Sequence, residues 1–393
     1  MPPNPSTRCL LLACISAAAI FAWQEFIIHF RYDGQQSALF FTGGQLSVPP
    51  PLQAGTYLFQ NSTGYDGQFY RYVAHDPFFR RDFARNIDDP RSRYGRILVP
   101  ILAWAVSGGQ DRFIDRAYQF IVVALCTVGV YWTCCWLSLS GCPPIWGVLA
   151  FLLLPATLAS IERLLVDGPM CALFAGQLYY TRLGRGRAMY IIAALAPLIR
   201  ETGILILAGI LAAAAFGKCW KRFAVFATAA LPTAAWTLYV AAHTGPTGAM
   251  HNFARPVFGL FVRLLTVSHD YPGSDKSLYV FMQTIDFLAL AGYIFCLALA
   301  AKWLWVSKTK WCDPIKLTIA FFLFMALLMG HPEPLMSAYA YGRTLSPLIL
   351  WVALLGLASR KWAALVPPLL VSAGVAIYPA YSTLRAIGAF LRP

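Results

Sequence analysis

The tetrapeptide Tyr-Asp-Gly-Gln occurs twice, at residues 32–35 and again at residues 65–68. Each copy sets an aspartate in polar sequence after the first apolar run, where a carboxylate can take the proton of an attacking hydroxyl. The surroundings of the two copies differ. After Asp33 the chain reads "GQQSALFFTGGQLSVPPP", whose glycines and prolines predict a mobile loop with no cation close by. After Asp66 it reads "GQFYRYVAHDPFF", in which Phe69, Tyr70 and Tyr72 are expected to hold a short helix against a membrane interface. Asp66 then stands at a helix start, where the dipole favours an anion, and Gly67 leaves room for an acceptor. A plain helix cap is the structural alternative. Asp66 is the expected general base and Asp33 the inert copy.

Arginine is the natural companion of such a base. Its planar fork matches phosphate oxygens and stays charged. Arginines crowd around Asp66: Arg71, Arg80, Arg81, Arg85, Arg91, Arg93 and Arg96. Three further polar groups interrupt apolar sequence. "SIERLLVDGPM" carries Glu162, Arg163 and Asp167; "LIRETG" carries Arg200 and Glu201; "HPEPLMSAYAYGRTLSP" carries His331, Glu333, Tyr339, Tyr341 and Arg343. Ionisable groups at membrane depth are costly unless paired, which marks them as functional candidates. Structural pairing of Arg200 with Glu201 and of Arg163 with Asp167 is the bland reading. Asp88 and Asp89 in "NIDDP" offer two carboxylates, but the scheme requires no metal and no cofactor, and no metal-ligand spacing occurs.

The elements that must position these groups are helices in a bilayer. Of the 393 residues 59% are hydrophobic and only 12% charged, about half the charge of a soluble domain. Apolar runs recur to residue 380, and lipid tolerates no unpaired backbone, so an all-α polytopic membrane protein is expected. The run at 9–30 is too long for a signal-peptide core and reads as a retained anchor. The net charge of +14 lies in short clusters between apolar runs, as in positive-inside loops, which excludes nucleic acid as the partner and leaves membrane lipid. None of the ten cysteines lies in the polar stretches 31–117 or 243–278, so no disulfide framework is implied.

Seven of the eight lysines fall in 217–222, 302–316 and 359–361, and three arginines in 181–187. Placing these clusters in the cytoplasm puts nearly all the acidic residues outside. The segment 97–109 is then a juxtamembrane helix, and 188–216, basic at both ends, is a pair of half-helices meeting at "LIRETG", flanked by Pro197 and Gly203. The expected map is one membrane domain. It has a first helix at 9–30, a large outer loop at 31–116, and a bundle over 117–380. Helices are expected near 117–138, 144–161, 168–181, 188–199, 203–217, 223–242, 279–301, 315–330, 344–358 and 362–380, about eleven spans in all.

The stretches "GYDGQFYRYVAHDP", "RYGRILVPILAW", "ERLLVDGP", "LIRETG" and "YGRTLSPLIL", taken in order, resemble the bacterial GT-C type of integral-membrane glycosyltransferase, in particular a group of envelope-glycopolymer proteins with a YDGQFY motif. The acidic pair that follows the first helix in the lipid A aminoarabinose and protein mannosyltransferase branches is absent, so no substrate is carried over from those branches. The resemblance implies transfer of a sugar from a polyprenyl-phosphate donor to a glycan or lipid acceptor, at the periplasmic or outer face of a bacterial inner membrane. Asp66 would act as the base. Tyr65, Gln68, Tyr70, Arg71, Arg96, Glu162, Arg163, Asp167, Arg200, Glu201, Tyr341 and Arg343 would surround the substrates. A flippase for a lipid-linked saccharide is the rival reading; it favours inverted repeats and charge along the full membrane depth. A non-catalytic subunit of an envelope-polymer assembly is the other.

Overall fold

Helix is the element lipid-facing sequence can adopt with every backbone group paired, and among the described residues no strand forms, only a bridge between Gly43 and Phe59. The structure, a computed structural model, describes residues 5–245, 257–266, 276–329 and 335–392. His331 and Glu333 lie outside them. The order is α1 (Pro5–Arg31), α2 (Asp66–His75), α3 (Pro90–Gly95), α4 (Leu98–Val106), α5 (Asp111–Ser138), α6 (Ile145–Leu152), α7 (Pro155–Arg163), α8 (Asp167–Arg182) and α9 (Gly186–Ile199). Then follow α10 (Ile204–Phe216), α11 (Trp220–Ala227), α12 (Leu231–His243), α13 (Phe258–Leu265), α14 (Lys276–Val306), α15 (Pro314–Leu328), α16 (Ala338–Thr344), α17 (Ser346–Ala358) and α18 (Val366–Phe390).

Among the described residues, five stretches are long and apolar enough to cross a bilayer: Ser6–Arg31, Asp111–Ser138, Trp220–His243, Lys276–Val306 and Trp362–Phe390. The pairs α6–α7 and α16–α17 bend by 68° and 71° and raise the total to seven if each is one broken span. The chain is therefore an all-α membrane protein, with five to seven spans by length where about eleven were expected. The difference has a physical origin. Helices such as Gly186–Ile199 and Pro314–Leu328 hold 14 and 15 residues, about 22 Å of helix against a hydrocarbon core of about 30 Å. Proline sets both bends, Pro155 opening α7 and Pro347 lying in the first turn of α17, positions where its missing N–H costs no helical bond.

Helix α8 is the axis of the bundle. Residues 167–178 are all buried, packed against α5, α7 and α9. It runs from Asp167 at one end to Arg182 at the other, and α9 returns from Gly186 to Ile199. At Arg200 the backbone is extended, with φ −154° and ψ 143°, and a single 3₁₀ turn, Glu201–Gly203, leads into α10. The far end of the bundle holds a cavity of about 470 Å³ lined by Thr181, Gly186, Arg222, Lys310, Cys312 and Asp313 among others. Three of the basic clusters thus meet at one end, and "LIRETG" lies at the other.

The outer segment, expected as a large loop over 31–116 that carries short helices and is mobile after Asp33, is more ordered than that. It ends at Gln110, because α5 begins at Asp111. The residues after Asp33 are packed, with a 3₁₀ turn Gln36–Phe40 in which Leu39 and Phe40 are buried. Val48, Leu52, Phe69, Tyr72, Val73, Phe83 and Tyr94 form a small core with Leu198 of α9 and Val240 of α12. Phe69, Tyr70 and Tyr72 accordingly face protein rather than membrane, since none is more than 5% exposed. Helix α2 is tied to α5 by polar bonds as well. Arg71 Nε donates to both Asp115 oxygens at 2.9 and 3.0 Å, Arg71 Nη1 to Thr56 Oγ1 at 2.6 Å, and His75 lies 2.7 Å from Asp111 and 3.1 Å from Asp115.

Gly67 is a packing glycine, not space left for an acceptor. A Cβ there would run into the backbone carbonyls of Arg163 and Phe40. Backbone cannot step aside as a flexible side chain can, so the clash outweighs alanine's better helix propensity. Gly67→Ala is expected to destabilise the protein by about 1–3 kcal/mol, read as a lower unfolding midpoint in detergent. An unchanged or raised midpoint would show that α2 does not press on α7 in this way.

Candidate functional site

Five separate segments bring charge to the end of the bundle opposite the lysines. Asp66 opens α2, with Tyr65 as its N-cap residue. Its carboxylate does not cap the helix; it is taken by two guanidiniums, Arg343 Nη2 at 2.7 Å and Arg93 Nη2 at 3.0 Å. Arg93 also grips Asp88 through two bonds, of 2.9 and 2.7 Å. Asp89 is used locally, its Oδ1 accepting from Ser92 N at 3.3 Å to cap α3. Asp33, in contrast, is exposed and in the left-handed region at φ 50°.

A second carboxylate, Asp167, continues the chain of charges. It is 2% exposed and sits in the first turn of α8, where unpaired N–H groups favour an anion. Arg200 is ion-paired with its Oδ1, and Arg343 Nη1 reaches its Oδ2 at 3.4 Å. Arg343 therefore links Asp66 to Asp167. Arg200 Nη2 also donates to Thr344 Oγ1 at 3.0 Å. Glu201 belongs to Arg96, which holds it by two bonds of 2.7 and 2.6 Å and also hydrogen-bonds the Tyr70 hydroxyl. The anticipated pair of Arg200 with Glu201 is loose at 4.0 Å.

Beside this network lies a box of rings around Arg163. Its Cζ is 4.2 Å from the centroid of Phe41, 4.5 Å from Tyr339, 4.7 Å from Tyr65 and 5.3 Å from Tyr378. Glu162, not Asp167, is its carboxylate neighbour, at 3.7 Å. Glu162 accepts from Tyr339 Oη at 3.3 Å and Ser382 Oγ at 3.4 Å. The ring of Tyr65 serves both groups, because Arg343 lies 4.9 Å over it.

Of the residues singled out by sequence, Asp66, Tyr65, Tyr70, Arg96, Asp167, Arg200, Glu201 and Arg343 come together, with Glu162 and Arg163 adjoining. Three are occupied elsewhere. Gln68 braces the outer segment, its Oε1 accepting from Gly43 N at 3.1 Å and its Nε2 donating to Thr63 O at 2.9 Å. Arg71 is the bridge from α2 to α5. Tyr341 is fully buried, its ring 5.0 Å from that of Tyr293, and does not line an entrance. Sequence reasoning named Arg93 only within the arginine run, weighed Asp88 only as a metal ligand, and passed over Phe41. "DPRSRYGR" held the signal: Asp-Pro starts a helix, with Arg93 in its last turn and Arg96 just beyond its end. Comparison with protein-family models, with curated proteins and with solved structures finds no match.

Electrostatically the site is tight and nearly balanced. Burial alone would raise the Asp66 carboxyl, but Arg343, Arg93 and Arg96 outweigh it and hold it well below the usual carboxylate range. Asp66 is therefore an anion at every working pH. Its contribution to stability is present above the ordinary aspartate pKa of about 3.9 and is lost as pH falls below it, since the unfolded chain then binds a proton that the folded one refuses. Asp66→Asn leaves Arg93 and Arg343 undercompensated and should cost about 3 kcal/mol at neutral pH. The gap between wild type and variant should narrow below about pH 4. Unfolding midpoints measured from pH 3 to 8 check this, and a gap that does not vary with pH would remove Asp66 from the ion network.

Proposed function

We propose that the chain is a GT-C type glycosyltransferase that moves a sugar from a polyprenyl-phosphate donor to a glycan or lipid hydroxyl at the outer face of a bacterial inner membrane. The observation that carries the reading is one half-buried carboxylate, Asp66, held by two arginines that can also hold a phosphate. The sidedness rests on the polarity of the bundle. Three basic clusters meet at the end opposite this site, and positive charge favours the cytoplasm. About eleven spans follow if α8, α9, α10 and α15 cross or enter the bilayer as short helices beside the five to seven longer ones.

In this reaction the acceptor hydroxyl attacks the anomeric carbon and gives its proton to Asp66. The bond from that carbon to the phosphate oxygen breaks, and the prenyl phosphate leaves with the electron pair. The charge at the sugar is oxocarbenium-like in transit, and the charge on the departing phosphate falls to Arg343, Arg93 and Arg200. The ligand-free geometry adds a coupling. Asp66 between two guanidiniums is a weak base, because a depressed pKa lowers its pull on a proton. A donor phosphate competes for the same guanidiniums, and each one it draws away raises the basicity of Asp66. Donor binding would thus arm the base, and an empty site would resist spending the donor on water.

The test is purified protein in nanodiscs with a panel of radiolabelled polyprenyl-phosphate sugars, scored for transfer and for bare hydrolysis. Asp66→Asn should fold and bind donor but lose about 10²-fold or more in turnover, the usual worth of a general base. Asp33→Asn should be silent. Arg343→Lys and Arg200→Lys keep charge but lose the fork, and donor use should fall about tenfold or more. An active Asp66→Asn, or a dead Asp33→Asn, would sink the assignment. Single-cysteine labelling tests the sidedness. An impermeant reagent added outside should reach position 201 and not position 218, and the reverse pattern would invert the protein in the membrane.

A further inference from the structure

Arg163, beside the network of Asp66 and Asp167, has its hydrogen-bonding capacity unspent. It is 9% exposed, and among the described residues no acceptor takes a hydrogen bond from it; its Nε is fully buried and unpartnered. Glu162 stands beyond hydrogen-bond distance, at 3.7 Å, and is already served by the hydroxyls of Tyr339 and Ser382. A guanidinium carries five N–H donors, and leaving them unmade in a buried place is costly. The rings of Phe41, Tyr65, Tyr339 and Tyr378 explain how the charge is tolerated, since each attracts a cation over its face. They do not explain what the donors are for, because a ring face is a poor substitute for an oxyanion. The box fixes the side chain and leaves its fork free. That is a preorganised receptor for a tetrahedral oxyanion.

We propose that Arg163 receives a second phosphate, distinct from the one taken by Arg343 and Arg93, and that the substrates of this protein together carry two phosphate groups at the site. The inference rests on the glycosyltransferase reading. Its geometry is set by Tyr65, whose ring lies against Arg343 on the donor side and against Arg163 in the box. The second phosphate has two chemical sources. It is either the inner, lipid-attached phosphate of a polyprenyl diphosphate carrier or a phosphate borne by the acceptor glycan.

Binding to the full chain in nanodiscs separates these sources with three probes: polyprenyl monophosphate, polyprenyl diphosphate and a soluble phosphorylated oligosaccharide. Arg163→Gln should leave the monophosphate affinity unchanged. It should weaken either the diphosphate or the phosphorylated glycan about ten- to hundredfold, the worth of a charge-assisted hydrogen-bond pair. Loss of the diphosphate places the second phosphate on the carrier; loss of the phosphoglycan places it on the acceptor. Where Arg163→Gln does not fold, Arg163→Lys keeps a cation in the box and should show the same selectivity with a smaller fall. Equal affinity of wild type and variant for all three probes would overturn the proposal, as would a fall in monophosphate affinity equal to the others. A wild-type protein that binds the phosphoglycan through Arg163 but no polyprenyl ligand would overturn the donor reading and leave this site standing. Binding of none of the three would overturn both.

Discussion

The arrangement at this end of the molecule depends on one constraint, that a carboxylate taken out of water must be met by a guanidinium. Asp167 is the deepest instance, closed in the first turn of α8 and contacted by Arg200 and Arg343. Meeting it requires the break after α9 and the short helix α16 to arrive at the same point. Arg343 then has a second fork to fill, which fixes Asp66 and with it the start of α2. Each buried charge thereby dictates where the next segment must lie. The pairs add little net stability, because desolvation offsets most of the attraction. They fix register between segments that are far apart in sequence.

Hydrophobic packing does the complementary work. The core of Phe69, Tyr72, Val73, Phe83 and Tyr94 in the outer segment is shared with Leu198 and Val240 of the bundle, so α2 and α3 are held by protein contacts with both. Arg71 and His75 bind α2 to Asp111 and Asp115 of α5. Asp66 and Arg93 therefore sit on elements packed against the bundle rather than on a loop.

Much of this was legible in residue types and spacing. Apolar runs marked the helices, and the break at "LIRETG" followed from a stretch basic at both ends with Pro197 and Gly203 beside its polar centre. That Asp66 rather than Asp33 would meet arginines followed from its neighbours in the chain. What was illegible was pairing. Nothing local says that Glu201 goes to Arg96, 105 positions away, or that the arginine four positions N-terminal to Asp167 turns into a box of rings instead. The role of Gly67 was misread because free space and close contact both call for glycine. The outer segment looked loose since its apolar residues are scattered and find one another only in three dimensions.

Short helices carry a last consequence. Helix α8 has 16 residues, about 24 Å of rise against a hydrocarbon layer of about 30 Å. A helix that short cannot reach both faces of such a layer. Along residues 167–178 its surroundings are protein rather than lipid, so the layer need not thin to suit it. Its two charged ends, Asp167 and Arg182, stand closer together than the two faces of that layer, and whatever pairs with Asp167 has to come in to meet it, as Arg200 and Arg343 do.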